Sequence, residues 1–337
     1  MLSIRAGLLN IRGMTPPPVQ PLITQTVVAR RRTLCREHFE VTLRVNTFPA
    51  AAPGQFVQIL CHDPDPFSTA NSDPARKAGA GEMNPDLLGE SPLLRRPFSI
   101  GGMRATTVGV EIDIMGRVVG VGTRWLDGLA PGDVVEILGP LGRSFSTPPT
   151  GHRALLIAGG VGLPPIRWLG ERLRAENFDC RAIFGAQSRD LLPLVISQSP
   201  VESAKFSMIA DEFSRDGIAQ IITTDDGTFG LRGRVTDALK PALATDPDLK
   251  SLRVYACGPE PMLEAVARLC DAAGVTCELA LERVMGCGVG TCQSCVVPVS
   301  DAAADDGWRY ALCCREGPVF ESTRLIWSTP GAGQPQG

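Results

Sequence analysis

Aromatic residues make up only 5% of the 337 residues, and just two are tyrosine. So thin a supply excludes the stacking platforms on which single-stranded nucleic acid is held. The formal net charge of −3 gives no general electrostatic pull toward nucleic acid or an anionic membrane surface. No apolar run reaches the roughly 18 residues that a membrane-crossing helix needs. The three histidines, His38, His62 and His152, are scattered without nucleophile or metal spacing and read as surface or structural residues. The G-x-G-x-x-G fingerprint is absent, and no internal repeat occurs. What remains is a globular composition, 44% hydrophobic and 20% charged, long enough for about two or three domains.

Cysteine is well represented, with eleven residues. In a chain this long they do not make a small disulfide scaffold. Their crowding near the C-terminus points to metal binding in a reducing compartment, the cytoplasm. The segment MGCGVGTCQSCVVPV places Cys287, Cys292 and Cys295 at C-x4-C-x2-C, the plant-type spacing for a [2Fe–2S] cluster. Two irons bridged by sulfide need four thiolates, and a short loop must wrap the cluster to present three. Gly286, Gly288 and Gly290 let that loop bend tightly and aim N–H groups at the sulfurs. Zinc, the bland alternative, prefers paired C-x2-C knuckles. The fourth thiolate is Cys313 or Cys314. If 310–313 is extended, neighbouring side chains face opposite ways and only one of the two reaches the cluster.

Upstream, the fold class reads as α+β multi-domain. Residues 1–21, ending in TPPPVQP, read as a disordered extension, with Met14 an alternative start. From 22 to 150 the segments TQTVVARRR, FEVTLRV, QFVQILC, RPFSIGGM, VGVEIDIM and DVVEILGP alternate as strands do, and form a small antiparallel β-barrel. It is interrupted by a Pro-, Gly- and Asp-rich surface insertion at 63–92. From 151 to 279 apolar strands (ALLIAGG, CRAIFGA, FSMIA, AQIITTDD, LRVYACGP) alternate with helical patterns, which predicts an α/β parallel-sheet nucleotide-binding domain. Residues 280–322 form a small cysteine-rich module, and 323–337 a disordered tail.

Phosphate and ring-binding signals sit at the expected turns. In Arg96-Pro97-Phe98-Ser99 an arginine can neutralise a flavin pyrophosphate, a hydroxyl can meet the flavin ring, and an aromatic side chain can lie against ring or adenine. On its own the motif is short enough to be strand filler. GVGT at 120–123, with Thr123 opening a helix, offers free N–H groups to an anion, though Thr123 also suits a plain cap. Gly159-Gly160-Val161-Gly162 follows a buried strand and precedes Pro164-Pro165, which suits close approach of a pyrophosphate or simply a tight turn. Cys257-Gly258-Pro259 ends another strand, where a nicotinamide ring can lie; ligands of open sheets bind at that edge. Thr224-Asp225-Asp226-Gly227 with Gly230 and Gly233, and Ser188-Arg189, are weaker candidates for ribose and 2′-phosphate contacts. No general base or nucleophile stands out.

Taken in order, Arg96–Ser99, GVGT, the 159–162 turn, CGPEPM at 257–262 and the cysteine module resemble the ferredoxin–NADP reductase superfamily. More narrowly, they resemble the electron-transfer subunits of class 1B dihydroorotate dehydrogenase, over about 25–322. The resemblance implies FAD contacts at Arg96, Pro97, Phe98, Ser99, Met115, Gly116, Arg117, Gly122 and Thr123. It also implies Cys314 as fourth cluster ligand, since in the family that cysteine precedes Gly-Pro-Val-Phe by two residues. Gly116 departs from the larger residue usual there, which limits that contact to backbone. The implied partner is an FMN-containing dihydroorotate dehydrogenase catalytic subunit, in a heterotetramer of two of each. Electrons would pass from it through [2Fe–2S] and FAD to NAD⁺ in pyrimidine (UMP) biosynthesis. Rival expectations are a diaphorase subunit of ferredoxin:NADP oxidoreductase or sulfhydrogenase type, and a non-catalytic iron–sulfur sensor.

Overall fold

The structure is a computed structural model that describes residues 20–62, 94–200 and 204–327. The expected insertion at 63–92, residues 1–19 of the expected extension and the tail from 328 lie outside the described residues.

Six strands close a barrel in the order β1-β2-β5-β4-β3-β6. They are β1 (Leu22–Cys35), β2 (His38–Val45), β3 (Phe56–Ile59), β4 (Arg96–Thr106), β5 (Gly109–Arg117) and β6 (Val134–Leu141). All described pairings are antiparallel. Every second residue points inward, so Val41 and Leu43, Val57 and Ile59, Ile112 and Ile114, and Val135 and Ile137 share one fully buried core. Closure removes the free edges of a six-stranded sheet. Helix α1 (Val121–Asp127) follows β5 and starts two residues before the predicted Thr123. Thr123 lies in its first turn, where its Oγ1 accepts from the Val119 and Gly120 N–H groups.

The second layer is a sheet ordered β10-β9-β8-β7-β11-β12-β15. Its parallel strands are β7 (Arg153–Gly159), β8 (Asp179–Ala186), β9 (Ala219–Thr224), β10 (Leu231–Arg232), β11 (Leu252–Cys257) and β12 (Thr276–Ala280). Helices cover both faces, as the alternating pattern predicts. Helix α2 (Leu163–Ala175) buries Leu163, Ile166, Leu169 and Leu173 against one face. A short turn of helix, α3 (Asp211–Ser214), joins that side. On the other face lie α4 (Val235–Ala244) and α5 (Glu260–Ala273), the latter burying Leu263, Val266, Ala267 and Cys270. That spacing is one stripe of a helix, and α5 stops at Gly274, whose φ of 67° closes a left-handed cap.

One predicted strand does not form. FSMIA makes only isolated bridges, Ser207 to Gln220 and Ala210 to Ile196. The N–H groups of Ile209 and Ala210 donate instead to the Gln220 side-chain oxygen, at 2.9 and 2.8 Å. A buried amide thus supplies the hydrogen bonds that a neighbouring strand would give.

The cysteine-rich segment contains a hairpin of β13 (Val296–Ser300) and β14 (Trp308–Leu312), a turn of helix α6 (Cys313–Glu316), and β15 (Val319–Glu321). β15 pairs antiparallel with β12 through Ala280–Val319, Leu279–Phe320 and Glu278–Glu321, so the segment completes the nucleotide-domain sheet. It also leans on the barrel. Arg143 N–H donates to the Gly317 carbonyl at 2.6 Å, and a Cβ on Gly142 would fall 2.6 Å from Pro318 Cδ. Packing continues past the expected boundary at 322. Leu325 is buried and bridges to Val299, and Ile326 N–H donates to the Pro298 carbonyl. Residues 323–327 therefore belong to the module, because Leu325 closes its core.

Candidate functional site

At the carboxyl ends of the parallel strands the structure gathers four predicted turns along one edge. β7 and β11 are neighbours, with Cys257 opposite Ala158, so the 159–162 turn and the 257–259 turn touch. Gly160 has a φ of 52°, in the region that favours glycine. A Cβ on Gly159 would meet Met262 Sδ at 2.5 Å. Burial first, and then the charge of Glu282, raise the Cys257 thiol to about 12, so Cys257 stays neutral beside any bound ring. Glu282 escaped the sequence reading because it is one acid in a loop. Only the fold brings it within the field of Cys257.

The two weaker candidates lie further along the same edge. Ser188 hydrogen-bonds Asp190, Arg189 stacks its guanidinium 5.2 Å from the Phe229 ring, and Arg189 N–H donates to Thr228 Oγ1. Thr224 Oγ1 donates to the Phe229 carbonyl at 2.7 Å. Asp226 accepts from Thr228. These groups build the turn, and the exposed carboxylate of Asp225 remains available at its rim.

The barrel contributes a second edge. Gly122 packs against Arg96 and Cys61: a Cβ there would lie 3.4 Å from Arg96 Cγ and from Cys61 Cβ. The arginine and the first turn of α1 are therefore adjacent, as a pyrophosphate cradle requires. Within the motif the strand alternates. Pairing sets Phe98 opposite Val57, and its side chain is buried in the barrel core. Pro97 and Ser99 point the other way, opposite Gln58 and Phe56. The phenyl ring of Phe98 thus packs the barrel instead of lying open at its rim. Met115 is buried with Leu163 in the core under the sheet. Gly116 is opposite Phe39, whose ring would lie 2.6 Å from a Cβ at 116. Arg117 pairs with Glu37 at 2.8 Å. Phe39, from the neighbouring strand, fills the space a larger residue at 116 would take.

In the cysteine loop, backbone N–H groups are aimed at the sulfurs. Backbone N–H groups of Val289 and Cys292 donate to Cys287 Sγ, and that of Cys314 to Cys295 Sγ, each at 3.4 Å. Hydrogen bonding to Ser294, followed by that to Cys287, brings the Cys292 thiol down to about 6. Among the described residues, no three His, Cys, Asp or Glu side chains converge to hold one metal ion. Backbone N–H groups that donate to cysteine sulfurs fit a cluster whose sulfurs accept hydrogen bonds. Cys313 and Cys314 open a helical turn instead of lying on a strand, so the strand alternation expected at 310–313 does not separate them. Both are buried, and the N–H that donates to Cys295 Sγ is that of Cys314.

A residue absent from the sequence reading meets this loop. Gln58 is fully buried, and neither end of its amide has a partner among the described residues. Its side chain lies against Gly288, where a Cβ would sit 2.6 Å from Cγ and 2.7 Å from Nε2. Leaving such a group unpaired costs about 1–3 kcal/mol, so the site suits a group that accepts or donates there.

Comparisons with known proteins agree with this architecture. Residues 282–326 match the iron-sulfur cluster binding domain of dihydroorotate dehydrogenase B, and 156–268 match an oxidoreductase NAD-binding domain. The chain is 34% identical to the dihydroorotate dehydrogenase B (NAD(+)) electron transfer subunit of Desulforamulus reducens, over 82% of this chain and 87% of that one. It is 32% identical to the corresponding subunit of Listeria monocytogenes, over 90% and 99%. Among solved structures, an NADH-dependent reduced ferredoxin-NADP oxidoreductase covers 90% of both chains, with a TM-score of 0.65 and 22% identity. A ferredoxin reductase of carbazole 1,9a-dioxygenase covers 77% of this chain and 68% of its own, with a TM-score of 0.56 and 20% identity. These two show the fold. With its barrel, nucleotide-binding sheet and cysteine loop, this chain belongs to the family of electron transfer subunits of dihydroorotate dehydrogenase B.

Proposed function

We propose that the chain carries electrons between an FMN-containing dihydroorotate dehydrogenase catalytic subunit and NAD⁺, in the synthesis of pyrimidine nucleotides. The observation that carries this reading is the position of the cysteine module. Its strand β15 pairs with the nucleotide-binding sheet, while Gly288 and Gly317 press on the barrel. A carrier at Cys287, Cys292, Cys295 and Cys314 thus adjoins both other parts. When bound, the [2Fe–2S] cluster supplies one-electron transfer, FAD links one-electron to two-electron chemistry, and NAD accepts hydride.

The residues of the chain hold and orient. Arg96 and the backbone at Gly122 and Thr123 neutralise the FAD pyrophosphate. Pro97 and Ser99 present the outer face of β4, and Met115, Gly116 and Arg117 contribute backbone. Gly159, Gly160 and Gly162 admit the NAD pyrophosphate, with Cys257, Gly258 and Pro259 beneath the nicotinamide. The parts span 22–150, 151–279 and 280–327. The relatives' description as electron transfer subunits supports a catalytic partner, and an assembly of two of each subunit is what the family resemblance implies. Eleven free cysteines suit a reducing cytoplasm.

Affinity purification of the full chain from its own cells tests the reading. A dihydroorotate-oxidising FMN protein should co-purify, and the complex should reduce NAD⁺ with dihydroorotate. Recovery of a ferredoxin- or hydrogenase-linked partner would reject it, as would bound flavin that NADH fails to reduce.

A further inference from the structure

Gln58 joins the two parts that an electron must cross. On β3 it stands opposite Pro97 and two pairs away from Ser99, on the face of the barrel turned to the cysteine loop. Its side chain crosses to Gly288, the residue after Cys287, and the amide nitrogen is the end that approaches. The residue is fully buried, and both amide ends lack a partner among the described residues. Gly288 has a φ of 73° and no room for a Cβ, so the loop comes as close to Gln58 as a backbone can. A buried amide in so tight a place, with no protein group to satisfy it, is an oriented dipole in low dielectric.

We propose that Gln58 is a positioning residue whose side-chain amide donates a hydrogen bond to the sulfur atoms on the Cys287 side of the cluster, favouring the reduced form. This rests on the cluster reading above and adds a residue from outside the cysteine module. Hydrogen bonds to cluster sulfurs stabilise added negative charge and raise the reduction potential. The residue neither binds iron nor touches substrate.

The test is a redox titration of the purified full chain with its cluster and FAD, followed by electron paramagnetic resonance. Wild-type protein must first show about two irons per chain, the number in the cofactor; failure there overturns the cluster reading and the role of Gln58 with it, whereas the variant tests that role alone. In Gln58→Met, which keeps length but removes the donor, reduction of the cluster should become about tenfold less favourable, or 59 mV for one electron. The flavin potential should stay in place. An unchanged cluster potential in an iron-replete variant overturns the proposal. Should Gln58→Met fail to fold, pulsed resonance on wild-type protein carrying ¹⁵N in its glutamine side-chain amides decides. A nitrogen coupled to the reduced cluster that survives Gln293→Ala supports the assignment, and no coupled nitrogen overturns it.

Discussion

Gly162 and Cys257 are in contact through their backbones: a Cβ on Gly162 would fall 2.1 Å from the Cys257 carbonyl oxygen. Two turns from neighbouring strands are pressed together, and no side chain fits between them. The φ of Gly162 is −74°, so the constraint is space and not backbone conformation. Gly162→Ala should therefore destabilise the fold by about 1–3 kcal/mol, the usual cost of overpacking, and slow reduction of the flavin by NADH. Urea unfolding and stopped-flow absorbance measure the two effects. Unchanged values would show that the turns do not bear on each other.

Cys313 and Cys314 are adjacent and both buried, and the cluster needs only one of them. Cys314→Ser removes the fourth thiolate that the family resemblance implies and should lose the cluster, seen as loss of iron and of the broad visible bands. Cys313→Ser should keep about two irons per chain. Its cost is stability, roughly 1–3 kcal/mol for a hydroxyl buried in place of a thiol. The reverse pattern would exchange the two roles.

Arg96 stands beside Gly122 at the mouth of the barrel, and among the described residues its guanidinium hydrogen-bonds only the nearby carbonyls of Leu94 and Arg95. Arg96→Ala should weaken FAD binding by about 10- to 100-fold, from loss of charge-assisted hydrogen bonds worth roughly 1.5–3 kcal/mol. Flavin fluorescence titration of the apoprotein reads this directly. Retention of wild-type affinity would move the pyrophosphate elsewhere.

Arg153 grips Asp246 with two hydrogen bonds, at 2.9 and 2.7 Å. That hydrogen bonding holds the Asp246 carboxyl below its ordinary range. A lowered folded value means the stabilisation is complete above the unfolded value, about pH 4. It is lost as the pH falls through the folded one. Arg153→Met should cost about 1 kcal/mol at neutral pH. The stability difference from wild type should then shrink below about pH 4. Urea unfolding at pH 7 and at pH 3 checks it, and an equal difference at both would overturn the linkage.

Much of the barrel and sheet was readable because alternation and glycine turns are local signals. FEVTLRV and VGVEIDIM carry an inward apolar residue at every second position, and ALLIAGG carries a buried strand into its turn. The misreadings share a physical cause. FSMIA has a strand's composition but takes its hydrogen bonds from the Gln220 side chain, which no local pattern encodes. Strand pairing turns Phe98 toward the barrel core, a placement that its four-residue motif does not encode. The spacing of the cysteines left the choice at 313 and 314 open, and a helical turn there replaced the strand on which it was framed. Gln58 was invisible for the plainest reason: in sequence it is one polar residue on a strand, and Gly288 lies 230 positions away.

The pairing of β15 with β12 has a consequence for solubility. A parallel sheet that ended at β12 would offer a row of open N–H and C=O groups to any passing strand. Here that border is covered by only three residues, the last of them Glu321, and the chain then turns away through Ser322–Arg324. Short length and a charge at the rim are the means by which sheets avoid joining one another. The segment that bears the metal ligands is thus also the guard that keeps one copy of this sheet from templating onto the next.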